Sequence, residues 1–232
     1  MKFSQSTFII IALAVAFTSC EKQHLTAPVQ PPVVPPVVST IQTYFKFNGN
    51  LTDSTGNITT ATPTGNIAYA NDRNGIANSA LYLDGASKVV FPGLVLKGKS
   101  MTMSAWIKYL TPGAGLQVFL TAFSGGGAGP ALVQLSNKLG LSVSTPSTNT
   151  ATSNDVDGNW HHLATTYDGV DIKVYIDGVF AVTINHPGSM GDGARDMVVG
   201  FFSTSFWKGY IDELRIYNSV MTATDIQKLA TM

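Results

Sequence analysis

The chain has 232 residues, 44% of them hydrophobic and only 12% charged, with a formal net charge of +0. The length suits one large domain or two small ones, and the lack of any Lys or Arg block gives no electrostatic steering toward nucleic acid or an anionic membrane surface. A single cysteine excludes an intramolecular disulfide.

Residues 1–19 read as an export signal rather than as part of the fold. Lys2 gives a positive start, and Phe8 to Phe17 is an apolar run, too short for the about 20 residues that a membrane-spanning helix needs. Thr18 and Ser19 then precede Cys20. This resembles the lipobox of bacterial lipoproteins, with Phe17 in place of the usual Leu, and it implies lipidation of Cys20 as the mature N-terminus. Residues 20–40 are expected to be the lipidated Cys and a linker. QPPVVPPVV at Gln30 to Val38 cannot form helix or a central strand, because each Pro lacks an N–H and fixes φ. It should run as extended polyproline II.

From residue 41 the pattern changes to strands and turns. Ile41, Thr43, Phe45 and Phe47 share one face of a first strand, and Asn48 to Asn57 is turn chemistry. Ala80 to Phe91 reads as two strands around Asp84-Gly85. Met101, Met103, Ala105 and Ile107 alternate with Thr102, Ser104, Trp106 and Lys108, the period of a half-buried strand. Leu116 to Phe123 is a further strand, with weaker ones around Leu132 and Leu141. Trp160 to Ile184 reads as three strands joined at Asp168-Gly169 and Asp177-Gly178, each an Asp-Gly pair between apolar runs. Met197 to Phe201 and Tyr210 to Tyr217 are the last strands. Thr222, three residues before Asp225, caps one short helix, with Met221 and Ile226 placed as a hydrophobic staple. The fold class is all-β: a two-sheet antiparallel sandwich of jelly-roll type with a short C-terminal helix.

The segments YFKFNGNLTDSTGN (44–57), SALYLDG (79–85), MTMSAWIK (101–108), NWHHLATTYDG (159–169), VYIDG (174–178) and GYIDELRIYN (209–218) together resemble the LamG-like jelly-roll domains of the concanavalin A-like lectin/glucanase superfamily. The resemblance covers residues 41–232 and implies two curved sheets with the first and last strands adjacent. It implies no single function, since the fold hosts lectins, adhesion modules and hydrolases.

Catalysis is not expected. Glycoside hydrolysis needs paired carboxyl groups, and the superfamily's glucanases carry Glu-x-Asp-x-x-Glu on one strand. Here the two glutamates are Glu21, in the linker, and Glu213. No Gly-x-Ser-x-Gly elbow is present. His161 and His162 are strand neighbours, point to opposite faces, and cannot share an ion. A structural calcium is the one cofactor considered. Asn48, Asn50, Asp53 and Asn57 crowd oxygens into one loop, and Asp212 shares parity with Leu214 and Ile216 and so is expected to face inward, where a carboxylate needs hydrogen bonds or a cation. The expected ligands are Asp53 and Asp212 with carbonyls from Asn48 to Leu51. The alternative is that these residues make Asx-turns and cap backbone amides. Glu213, of opposite parity, is expected to pair with exposed Arg215.

Sugars are held by aromatic faces with amides and carboxylates nearby. Trp207 and Phe206, before the last strand, are the candidate sugar platform; Trp106 and Trp160 read as packing residues. The expectation is a non-catalytic binding module at the surface of a bacterial outer membrane, anchored only through its lipid. Its partner would be a glycan. The alternatives are an adhesion module for an extracellular protein or a glycoside hydrolase with an unrecognised site. Nucleic acid is not an expected partner.

Overall fold

The computed structural model describes residues 40–96, 100–113, 115–123, 129–144, 148–189 and 193–232. The expected export signal, Cys20 and the Pro-rich linker lie outside the described residues. Among the described residues seventeen strands and one helix follow in order. They are β1 (Ile41–Phe45), β2 (Thr62–Thr64), β3 (Ala68–Ala70), β4 (Ala80–Asp84), β5 (Lys88–Leu96), β6 (Met101–Tyr109), β7 (Leu116–Thr121), β8 (Gly129–Leu135) and β9 (Lys138–Ser144). Then come β10 (Thr148–Thr152), β11 (His161–Tyr167), β12 (Asp171–Ile176), β13 (Val179–Asn185), β14 (Gly193–Val199), β15 (Phe201–Phe202), β16 (Ser205–Phe206), β17 (Lys208–Tyr217) and α1 (Ala223–Leu229).

Two antiparallel sheets face each other. One has eight strands in the order β13-β12-β11-β6-β17-β4-β3, with β1 also pairing β17; the other has seven in the order β10-β9-β8-β7-β14-β5-β2. The first and last strands are adjacent, as the family resemblance implies. The alternation along β6 sets the layers. Met101, Met103, Ala105 and Ile107 bury in the core between the sheets, where they join Phe45, Phe91, Leu163, Val174 and Leu214. Thr102, Ser104, Trp106 and Lys108 take the other side, the outer face of the eight-stranded sheet. The Asp177-Gly178 turn has φ of 51° and 79°, the positive values a type I′ hairpin demands.

The helix forms where its cap predicts. Thr222 accepts the Asp225 N–H at 3.2 Å. Met221, Ile226 and Leu229 bury against Ala164, Tyr175 and Tyr217. α1 therefore lies on the outer face of the eight-stranded sheet, and Tyr175, polar-facing by parity, is buried beneath it.

Two bulges move residues off the face that simple parity assigns. The register of β1 on β17 shifts between Ile41 and Thr43, so Ile41 leaves the face of Phe45 and packs with the helix cluster. The register of β17 on β6 shifts between Asp212 and Arg215, where Glu213 takes a φ of 54°. Asp212 consequently faces outward with Trp106, while Leu214 and Ile216 face the core. An extra residue in one strand reverses the alternation beyond it.

Candidate functional site

Outward-facing positions of neighbouring strands line up across the eight-stranded sheet. Tyr210 on β17 is paired with Lys108 on β6 and with Tyr82 on β4. Trp160 leads into β11 two residues before His162, which pairs with Trp106. The result is an aromatic row. The rings of Trp160 and Tyr210 are 6.0 Å apart, and those of Tyr210 and Tyr82 are 5.0 Å apart. All three are half-buried. A depression of about 250 Å³ opens over the Trp160–Tyr210 end of the row, lined by Ala70, Asn71, Asp72, Lys108, Trp160 and Tyr210. In its polar wall Asp72 Oδ1 accepts the N–H groups of Asn74 and Ile76 at 2.9 and 2.8 Å.

Beside the row lies a buried polar layer. Arg73 donates to Asp212 at 2.6 Å and stacks its guanidinium 4.7 Å over the Trp106 ring. It also donates to the backbone carbonyl of Met232. Burial, reinforced by the nearby charge of Glu213, pushes the Asp212 carboxyl up to about 7 against the opposing pull of Arg73. On the other side of Trp106, His162 is fully buried with its ring centroid 5.5 Å away. Among the described residues neither ring nitrogen of His162 has a hydrogen-bond partner, and burial lowers its pKa to about 4, so it is neutral near pH 7. His161 points elsewhere. Its Nδ1 meets Asp177 at 2.8 Å and its Nε2 meets Asp157 at 3.0 Å, and the bond to Asp177 leads the causes that raise its pKa.

The sequence-predicted residues are distributed differently from expectation. Trp207 is fully buried, with its Nε1 donating to Gln134 at 3.0 Å and its ring beside Phe119 at 5.4 Å. It is a core residue and offers no face to a ligand. Phe206 is half-buried and packs on Phe201 at 4.6 Å within the β15-β16 hairpin, so the two do not form a shared platform. Asp53 is bound by the chain itself. Its Oδ1 accepts from the N–H groups of Tyr44 (2.8 Å) and Thr55 (3.0 Å), and its Oδ2 from the Thr55 hydroxyl (2.7 Å) and the Ile58 N–H (3.0 Å). Burial alone would raise this carboxyl, but the amide bonds outweigh it and hold the pKa low. Asn50 accepts the Thr52 N–H and donates to the Asn48 carbonyl at 3.0 Å, an Asx-type turn. Among the described residues, no three His, Cys, Asp or Glu side chains come together in a group that could hold a metal ion. The donors around Asp53 and the Arg73 pair on Asp212 fit a backbone cap and an ion pair better than a calcium shell. Glu213 does pair with Arg215, but Arg215 is buried, and Tyr44 donates to the same carboxylate.

The seven-stranded sheet carries a different surface. A depression of about 270 Å³ on its outer side is lined by apolar groups, among them Leu116, Val118, Val133 and Phe202, with the hydroxyls of Ser142 and Thr148 at one side. Sequence reasoning missed the aromatic row altogether. Trp160, Lys108 and Tyr210 each share outward parity on their own strands, and that signal was available. Their juxtaposition depends on strand register, which a single sequence does not give.

The two facing sheets and the adjacent terminal strands define a jelly-roll sandwich. The family model of the concanavalin A-like lectin/glucanases superfamily matches residues 83–227, and the chain belongs to that family. No curated protein sequence matches it. Among solved structures, it is similar to domain 4 of AbnA, a GH43 extracellular arabinanase from Geobacillus stearothermophilus, in complex with arabinotriose. The two share 27% identity over 83% of this chain and 98% of that one, with a TM-score of 0.72. The binding domain of botulinum neurotoxin serotype G shares the fold at 13% identity and a TM-score of 0.66, over 83% of this chain and 51% of that one. The botulinum neurotoxin DC binding domain in complex with rat synaptotagmin II does so at 15% identity and 0.66, over 82% and 51%. The chain thus spans about half the length of these toxin domains. Its fold is one on which binding domains are built.

Proposed function

We propose that the chain is a non-catalytic carbohydrate-binding module. The row Trp160–Tyr210–Tyr82, with Asn71, Asp72 and Lys108 beside it, carries this reading. Aromatic faces pack on the apolar C–H side of a sugar, and an amide, a carboxylate and an ammonium read its hydroxyls. The likeness to an arabinanase domain in complex with arabinotriose supports it. A lipidated Cys20 and the Pro-rich stretch after it would tether the domain outside a bacterial outer membrane.

The test is isothermal titration of residues 40–232 with arabinan, xylan, mannan and β-glucan fragments. Binding to at least one, abolished by Trp160→Ala in a folded variant, supports the reading; no heat from any of them overturns it. A second reading, docking of an extracellular protein, is favoured by the apolar depression on the other sheet, where Leu116 is 53% and Phe202 40% exposed.

A further inference from the structure

The site around Trp160 has two sides. Beyond the depression over the aromatic row, a second one of about 340 Å³ is lined by Arg73, Asn74, Trp106, Trp160 and the segment Ala230–Met232. Trp160 lines both. So does one loop: Ala70, Asn71 and Asp72 face the first depression, and Arg73 and Asn74 the second. Each depression also takes one residue from β6, Lys108 in the first and Trp106 in the second, two residues apart on one outward face. That places their Cα atoms about 7 Å from each other along the strand. The first depression alone falls below the ~300–1,000 Å³ typical of small-molecule sites, the second lies at its lower end, and the two together fall within that range.

The polar groups differ in what they have left to give. Arg73 is committed to Asp212 and to the Met232 carbonyl. Lys108 and Asp72 make no ion pair among the described residues, and they face the same depression. One cation and one anion at a single sugar position supply a donor and an acceptor with no net charge. Such a pair suits the hydroxyls of a neutral sugar, which can donate to Asp72 and accept from Lys108.

Resting on the glycan reading above, we infer that Trp160 is the centre of an extended site taking at least two consecutive units of a neutral oligosaccharide, one in each depression. Asn71 then contacts every ligand, while Asn74 contacts only ligands long enough to cross Trp160. Both asparagines are exposed, so their side chains can be shortened without opening the core.

The test is calorimetric titration of the full chain and of its Asn71→Ala and Asn74→Ala variants. The probes are the monosaccharide and trisaccharide of arabinose, xylose, mannose and glucose. The expected result is that one trisaccharide binds roughly tenfold or more tighter than its monosaccharide. Asn74→Ala should remove that gain while leaving the monosaccharide unchanged, and Asn71→Ala should weaken both. Equal affinity for the two lengths, or an Asn74→Ala variant that binds the trisaccharide normally, would overturn the extended site and leave single-sugar binding standing. Binding of none of the eight probes would overturn the glycan reading itself.

Discussion

The rings of Trp160 and Tyr210 lie 6.0 Å apart on the outer face of the eight-stranded sheet, brought together by strand pairing rather than by sequence proximity. Trp207, the tryptophan that sequence reasoning favoured, is wholly buried on the far side of the same strand system. These two tryptophans should separate binding from stability. Trp207→Ala should cost about 3–5 kcal/mol, the usual range for emptying a buried aromatic site, and leave the affinity of the remaining folded protein unchanged. Trp160→Ala should cost far less stability and remove binding. Chemical denaturation and titration of both variants check this.

Asp53 is expected to be a structural cap. Its four donors include three backbone N–H groups that fix the loop after β1. Asp53→Ala should destabilise the domain by about 2 kcal/mol or more, because buried donors lose their acceptor. EDTA should leave the melting temperature of the wild type unchanged. A fall in EDTA that Asp53→Ala and Asp212→Ala abolish would instead establish the calcium site.

His161 should make stability pH-dependent on the alkaline side. Its pKa is raised above 6.5 by Asp177 first and Asp157 next. The stabilisation is therefore fully present below about pH 6.5 and is lost as pH rises through the higher folded-state value. Thermal melts from pH 6 to 9 should fall in the wild type and fall less steeply in His161→Gln, which keeps the slope from Asp212.

His162 should act in the opposite direction. Burial lowers its pKa to about 4, so the folded state resists a proton that the unfolded chain accepts below about 6.5. Stability is lost as pH falls from there toward 4. Asp212, pushed up to about 7, contributes the reverse slope: its stabilisation is present below the ordinary carboxyl range and is lost as pH rises through 7. The two partly offset between pH 4 and 6.5. His162→Phe should therefore melt higher than the wild type at pH 5 by more than at pH 7.5. An equal difference at both values would contradict a neutral, unpartnered ring.

Much of this architecture is written locally. The alternation of β6, the Asp-Gly turns and the Thr222 cap each act within a few residues, and each formed as the residues indicate. The bulges at Ile41 and Asp212 do not have a local signature; the second falls where β17 changes partners from β1 to β4. Parity counted through Glu213 therefore aimed Asp212 at the wrong layer. Trp207 was misplaced for a similar reason. The small hairpin formed by β15 and β16 turns the chain so that the indole enters the core and lies against Gly209. A Cβ there would come within 2.3 Å of the ring. Short strands such as β2, β3 and β10 lack an apolar alternation and exist because a neighbour offers an edge.

The central claim is that the Trp160 row binds carbohydrate, and titration of the wild type and Trp160→Ala with the polysaccharide fragments tests it most directly. The account predicts saturable binding to at least one fragment that disappears in Trp160→Ala while its melting transition remains cooperative. Sugar binding that survives unchanged in that variant would place the site elsewhere, and an absence of binding to every fragment would contradict the claim.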